Sequence, residues 1–116
     1  MKRRSILAIP LAASIAGVAG PARADAYPPG PIRVIVPFPP AGGTDVVARL
    51  VTQAITADRG WQFVVDNRPG AGGNIGMEQL AKARADGATF GVGQTANLAI
   101  NPSLYPKLGF DPLHDF

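Results

Sequence analysis

Ile32-Arg33-Val34-Ile35-Val36 runs directly into Pro37-Phe38-Pro39-Pro40-Ala41-Gly42-Gly43-Thr44-Asp45. The first five residues are mostly apolar and β-branched, and a proline bounds them on each side. Such a run, short and almost continuously apolar, predicts a strand buried on both faces. The proline- and glycine-rich stretch after it predicts a loop. Thr44 suits the N-cap of a helix, and Asp45 falls in its first turn, where the helix dipole favours an acid. Val46, Val47, Leu50, Val51, Ala54 and Ile55 then recur at three- and four-residue spacing, the pattern of a helix face turned to a core. Gly60 supplies the stop.

The same plan recurs downstream. Phe63-Val64-Val65 reads as a strand and Arg68-Pro69-Gly70-Ala71-Gly72-Gly73 as a loop. Asn74 reads as a cap, with a helix from about Ile75 to Ala85 and a stop near Gly87. Thr89-Phe90-Gly91-Val92 is a third strand, followed by Gly93-Gln94-Thr95-Ala96-Asn97. From there to Phe116 the chain is punctuated by proline and shows no helix pattern of useful length. Strand and helix in alternation define an α/β fold, a parallel βαβαβ sheet with right-handed crossovers. Ligands of such sheets bind outside the carboxyl ends of the strands. All three Gly-rich or polar loops fall at those ends, so they are expected to converge on one crevice.

The loops suggest a chemistry. Small residues leading into a helix expose unpaired backbone N–H groups, which together with the helix dipole favour an anion. Ala41-Gly42-Gly43-Thr44 and Gly72-Gly73-Asn74 both have this form. The same glycines equally suit tight turns that hold no ligand, and spacing alone leaves both readings open. Nucleotide binding fits poorly. No lysine follows either loop in P-loop order. Gly91-Val92-Gly93-Gln94-Thr95-Ala96 matches G-x-G-x-x-A, with Asp111 and Asp115 about 20 residues on, but it follows the third strand and Asn101-Pro102 interrupts the helix it would need.

Catalytic readings find no constellation. Beyond the first 26 residues the only histidine is His114, near the C-terminus, and the only serine is Ser103, beside Pro102. There is no cysteine, carboxylate cluster or metal-ligand spacing. No enzyme activity, metal or cofactor is therefore expected. Trp61 reads as a packing residue.

The N-terminus has its own logic. Lys2, Arg3 and Arg4 precede an apolar run from Ile6 to Val18, and Pro21-Ala22-Arg23-Ala24-Asp25-Ala26 offers two overlapping small-x-small cleavage sites. These are the three parts of a secretory signal, and the run is shorter than the roughly 20 residues of a membrane span. Residues 1–26 are expected to be a signal peptide, directing the chain to the periplasm. Arg3-Arg4 leaves the general and the twin-arginine routes both open. Eleven Lys+Arg against eight Asp+Glu give a net charge of +3. Lys2, Arg3, Arg4 and Arg23 leave with the signal, so the remainder is neutral or slightly acidic. The basic character thus belongs to targeting and argues against nucleic acid as a partner. Tyr27 to Pro31 reads as an extended lead-in to the first strand.

Three stretches carry a resemblance. Pro37 to Asp45 resembles the first ligand loop of the tripartite tricarboxylate transporter substrate-binding proteins, the Bug family. Asp66-Asn67-Arg68-Pro69-Gly70-Ala71-Gly72-Gly73-Asn74-Ile75-Gly76 resembles their second signature. Ala99 to Tyr105, with Phe110-Asp111-Pro112 through Asp115-Phe116, resembles the third. The resemblance implies a periplasmic solute receptor of the type II periplasmic-binding-protein fold, two hinged lobes closing on a small carboxylate, with membrane permease subunits as partners. It implies that residues 27–116 form an incomplete first lobe. Phe38, Ala41, Gly42, Gly43 and Thr44 would form the carboxylate grip, with Gln94 and Thr95 approaching from the side. Asp45 would repel an anion, so a capping or water-orienting role suits it better, and Arg68 suits a structural ion pair. Ala41 stands where the family commonly has glycine. Family members also continue beyond the point corresponding to Phe116, so a truncated receptor is the expectation; a free-standing small anion-binding or regulatory domain, or a non-functional truncated gene product, is the alternative.

Overall fold

The computed structural model describes residues 26–116. The expected signal peptide, residues 1–26, lies outside them except for Ala26. Strands β1 (Ile32–Val36), β2 (Phe63–Asn67) and β3 (Thr89–Gly91) form one parallel sheet in the order β2-β1-β3. Helix α1 (Gly43–Arg59) links β1 to β2, and helix α2 (Asn74–Ala81) links β2 to β3. The parallel α/β plan read from the alternation is therefore the plan observed. β1 sits in the middle with Ile32, Val34, Ile35 and Val36 all buried, as its apolar run requires.

The two faces of β1 recruit different helices, because alternate residues point to opposite sides of a strand. Val34 and Val36 pack on Ala48 of α1, joined by Phe38, Phe63, Val65 and Val92. On the other face Ile35 pairs with Gly91, and a Cβ on Gly91 would collide with Leu80 of α2. Gly76 brings the start of α2 against the first loop: a Cβ there would lie 2.7 Å from Pro37 Cβ and 2.8 Å from the Arg68 carbonyl. The chain thus leaves β1 to one side through α1 and crosses to the other through α2. The switch in direction falls at the pair β1–β3.

Five expectations change, four of them at the ends or the presence of helices. α1 begins at Gly43 with extended Gly42 as its N-cap, so Thr44 is inside the helix and does not cap it. α2 begins at Asn74 after left-handed Gly73, so Asn74 is its first residue and not its cap. α2 also ends at Ala81, short of Ala85, where Ala83 N–H turns back to the Leu80 carbonyl and Asp86 receives the Ala88 N–H. Finally, the stretch read as lacking helix contains a π-helical turn (Ala96–Ile100) running into a short helix α3 (Asn101–Leu104). Pro102 stands in its first turn, where a missing N–H costs nothing, so the proline that argued against a helix is compatible with starting one.

The apolar face expected for α1 departs furthest. Its buried residues are Asp45, Ala48 and Thr52, whereas Val46, Val47, Leu50 and Val51 are 47–60% exposed. Ala54 is exposed and Ile55 half-buried. The small side chains Ala48 and Thr52 let the helix lie on the sheet, but its apolar stripe extends past the cover that three strands supply. Val47, Val51 and Ile55 face Phe90, Val92 and Trp61 across an open apolar groove of about 300 Å³. Exposed contiguous apolar surface of this kind drives association. Leu50→Glu, at a 60% exposed position and with little change in helix propensity, is expected to shift unfolding free energy by no more than about 0.5 kcal/mol while lowering self-association in sedimentation and dye binding to apolar surface. A loss of stability well beyond that would mean the face is already covered.

Candidate functional site

The carboxyl ends of the three strands release three loops, and hydrogen bonds bring them together. From the first to the second, Asn67 at the end of β2 donates through Nδ2 to the Phe38 carbonyl (3.1 Å) and to Asp45 Oδ1 (2.9 Å). From the second to the third, Asn97 Nδ2 donates to the Gly72 carbonyl (2.6 Å). From the third to the first, the Gln94 side-chain amide donates to the Thr44 hydroxyl oxygen. The convergence expected from topology is thus present in the contacts.

Asp45 organises the first loop. Its carboxylate is buried and accepts from the Ala41 N–H (2.9 Å), from Arg49 Nε and from Asn67. The Arg49 bond above all, then the Ala41 and Asn67 bonds, lower its pKa from 3.8 to about 2. Ala41 closes this turn in a left-handed conformation, φ +64°, which is strained for any residue with a Cβ. The Gly42 N–H turns back to the Pro39 carbonyl (3.4 Å). The N–H groups of Ala41 and Gly42 are therefore spent inside the loop. Those of Gly43, Thr44 and Asp45, in the first turn of a 17-residue helix, have no partner among the described residues, as the geometry of a helix N-terminus dictates.

Beside them lies an open depression of about 430 Å³ lined by Gly43, Thr44, Val47, Val92 and Gln94. It stands between the ends of β1 and β3, at the switch in chain direction, where ligands of open α/β sheets sit. Of the residues singled out from sequence, Gly43, Thr44 and Gln94 line it. Thr95 lines an adjoining hollow of about 600 Å³ with Gln94 and Ala96. Phe38 packs towards the core and against Gly73; with Ala41 and Gly42 it builds the turn and does not line the depression. Because Thr44 is not a cap, its hydroxyl oxygen is free to accept from Gln94, and its proton remains to be donated. Arg68 is engaged with Asp66 at 2.8 Å, and Arg33 binds the same carboxylate, which is the ion pair expected of it.

Sequence reasoning missed Arg49, Asn97 and Asn101. Asn67 was visible only as part of a motif, although its place at a strand's carboxyl end is where the topological rule points. Asn97 and Asn101 are buried at 0% and 5% exposure, but their burial depends on the helical turn that the sequence pattern concealed.

Comparison with known proteins places the molecule. The profile of the tripartite tricarboxylate transporter family receptors matches residues 47–116. The chain belongs to this family. BugT of Bordetella pertussis is 43% identical to it over 113 residues, which are 97% of this chain and 35% of that protein. The chain spans about a third of the length of the curated relatives it matches. The periplasmic binding protein BugD superposes with a TM-score of 0.73 at 38% identity, over 78% of this chain and 30% of its own. MatC of Rhodopseudomonas palustris, solved with bound malate, superposes with a TM-score of 0.73 at 37% identity, over 78% of this chain and 31% of its own. The sheet and its loops therefore match a part of larger solute-binding receptors.

Two outcomes test this geometry. Ala41→Gly removes a left-handed alanine that costs about 1–2 kcal/mol and adds unfolded-state freedom worth about 0.5–1 kcal/mol; the net expectation is a stabilisation of roughly 0.5–1 kcal/mol in chemical denaturation. A destabilised variant would contradict the left-handed turn. For Asp45, a depressed folded pKa means that its contribution is complete above the unfolded value and is lost as pH falls from about 4 to about 2. Carboxyl-carbon NMR should give a midpoint near 2, with the Ala41 amide losing protection over the same window; an ordinary midpoint near 4 would show an unheld carboxylate.

Proposed function

We propose that this chain supplies part of a periplasmic receptor that captures a small carboxylate for a tripartite tricarboxylate-type transporter. The observation that carries the reading is that the N–H groups of Gly43 and Thr44, without a partner among the described residues, border a depression shared with Gln94. A carboxylate oxygen there would accept from these backbone groups and from the Thr44 hydroxyl, with the positive end of α1 behind them. Gln94 fixes the hydroxyl's orientation by occupying an oxygen lone pair, and Thr95 approaches from the adjoining hollow. Phe38, Ala41 and Gly42 act through the shape of the turn. The malate bound in MatC is a ligand of the class this arrangement suits.

The role is capture and not conversion. A receptor needs donors that hold an anion without activating it, and the depression is lined by backbone amides, a hydroxyl, a carboxamide and two valines. Export through the N-terminal signal would deliver the chain to the periplasm, and the transporter's membrane subunits would receive the ligand. A single open set of donors binds weakly. Hydrogen bonds exchanged with water contribute roughly 0.5–1.5 kcal/mol each, against an association cost of about 4 kcal/mol or more, which places this chain's own affinity at about 1 mM or weaker.

Gly43→Asp is the direct test. A Cβ at Gly43 meets nothing within 4 Å and its φ lies outside the left-handed region, while an acid at the first helical position agrees with the dipole. The fold should be unchanged and malate-induced NMR shifts at Thr44 and Gln94 should vanish. Retained shifts in the variant would reduce the loop to a turn.

A further inference from the structure

Asn97 is fully buried, and its carboxamide points each end at a different loop. Oδ1 accepts the Gln94 backbone N–H at 3.3 Å, and Nδ2 donates to the Gly72 carbonyl at 2.6 Å. Donor and acceptor chemistry allows only this orientation of the amide. The second loop is shaped to meet it. Gly72 and Gly73 are both left-handed, φ +64° and +90°, and a Cβ on Gly73 would collide with Asn97 Nδ2. Asn101 Nδ2 supports the same Gly72 carbonyl at 3.3 Å and reaches Asn74 Oδ1 at 2.6 Å. From Asn97 the connection continues through Gln94 to the Thr44 hydroxyl. One continuous path thus runs from the second loop, through Asn97, across the β1–β3 crevice, to the N-terminus of α1.

We propose that Asn97 is a positioning residue for the anion site: it holds the third loop against the second so that Gln94 reaches Thr44 and orients its hydroxyl. This role rests on the carboxylate-site reading above. It assigns Asn97 no contact with the ligand, and it explains why a fully buried carboxamide occupies a turn otherwise built from Ala96, Leu98, Ala99 and Ile100. Buried polar side chains are costly unless satisfied, and satisfied ones fix a unique arrangement.

The test uses two variants of the ¹⁵N-labelled chain, with malate as the probe. Asn97→Ala removes both bonds. Asn97→Asp keeps the size and the acceptor for Gln94, but sets an oxygen against the Gly72 carbonyl. In the alanine variant, amide exchange at Gln94 and Gly73 should both accelerate. In the aspartate variant Gly73 should accelerate while Gln94 stays protected. Malate affinity, read from Thr44 and Gly43 shifts, should fall about tenfold in the alanine variant, the loss expected for one to two hydrogen bonds, and less in the aspartate variant. Generic destabilisation would instead accelerate exchange throughout the sheet and would overturn the role. So would a Gln94 amide unchanged in Asn97→Ala, or malate affinity equal to that of the unsubstituted chain. Should the alanine variant fail to fold, the split between Gly73 and Gln94 in Asn97→Asp decides alone, its absence being the negative result. An unsubstituted chain showing no malate shifts at Gly43 and Thr44 rejects the site itself. A binding chain with indifferent variants rejects only Asn97.

Discussion

The Asp45 carboxylate is the constraint on which the rest of the site depends. It lies at the start of α1, next to the backbone groups proposed to hold an anion, and at first sight it is the wrong charge in that place. Its bonds resolve the conflict. Arg49, one turn further on, forms an ion pair with it at 3.0 Å, and the Ala41 N–H and Asn67 take other lone pairs. The carboxylate then acts as a knot: it closes the strained Ala41 turn, draws the end of β2 to the first loop, and commits the loop's inner N–H groups. The groups of Gly43 and Thr44 are left over and aligned along the helix axis. Asn67 doubles this tie by donating to the Phe38 carbonyl, so two hydrogen bonds join the end of β2 to the first loop.

Much of this fold was legible because its local signals agree. The β-branched runs at Ile32 to Val36 and Phe63 to Val65, the glycine that ends α1, and the alternation of strand with helix all point to one parallel sheet. The loops were legible as a group for the same reason, since a parallel sheet puts all its βα loops at one end. What was not legible depends on contacts distant in sequence. Thr44 looks like a cap until extended Gly42 takes that place. The turn at Ala96–Ile100 exists because Asn97 and Asn101 find partners in residues 72 and 74, and no periodicity announces this. Ala41 would replace glycine at little cost only with a negative φ; at +64° it is strained.

The exposed face of α1 has a similar lesson. Period and composition specify correctly that the helix has an apolar stripe, but not which part of it meets a partner. Here the small Ala48 and Thr52 are buried, with Ala48 packed on Val34 and Val36, and the larger valines and Leu50 remain exposed. Backbone approach is decided by side-chain size, so the residues that dock a helix are not always its most hydrophobic ones. Stability of this chain therefore rests mainly on β1, whose two faces carry the cores of both helices.

The electrostatics of the crevice explain why so much of the structure is devoted to holding loops still. Among the described residues, no charged side chain lines the depression. The nearby arginines are already committed, Arg49 to Asp45 and both Arg33 and Arg68 to Asp66. An anion placed here would be held by dipoles, and the attraction of a dipole falls with distance faster than that of a charge and depends on angle. A site built on a free lysine tolerates movement, since its long side chain can follow the ligand. A site built on backbone N–H groups and one oriented hydroxyl does not, because a displacement of an ångström misaligns several bonds together. Rigid positioning then becomes the determinant of affinity. On this logic the strained Ala41, the left-handed Gly72 and Gly73, and the buried Asn97 are parts of one solution: each fixes a loop at the point where a free charge would have made fixing it unnecessary.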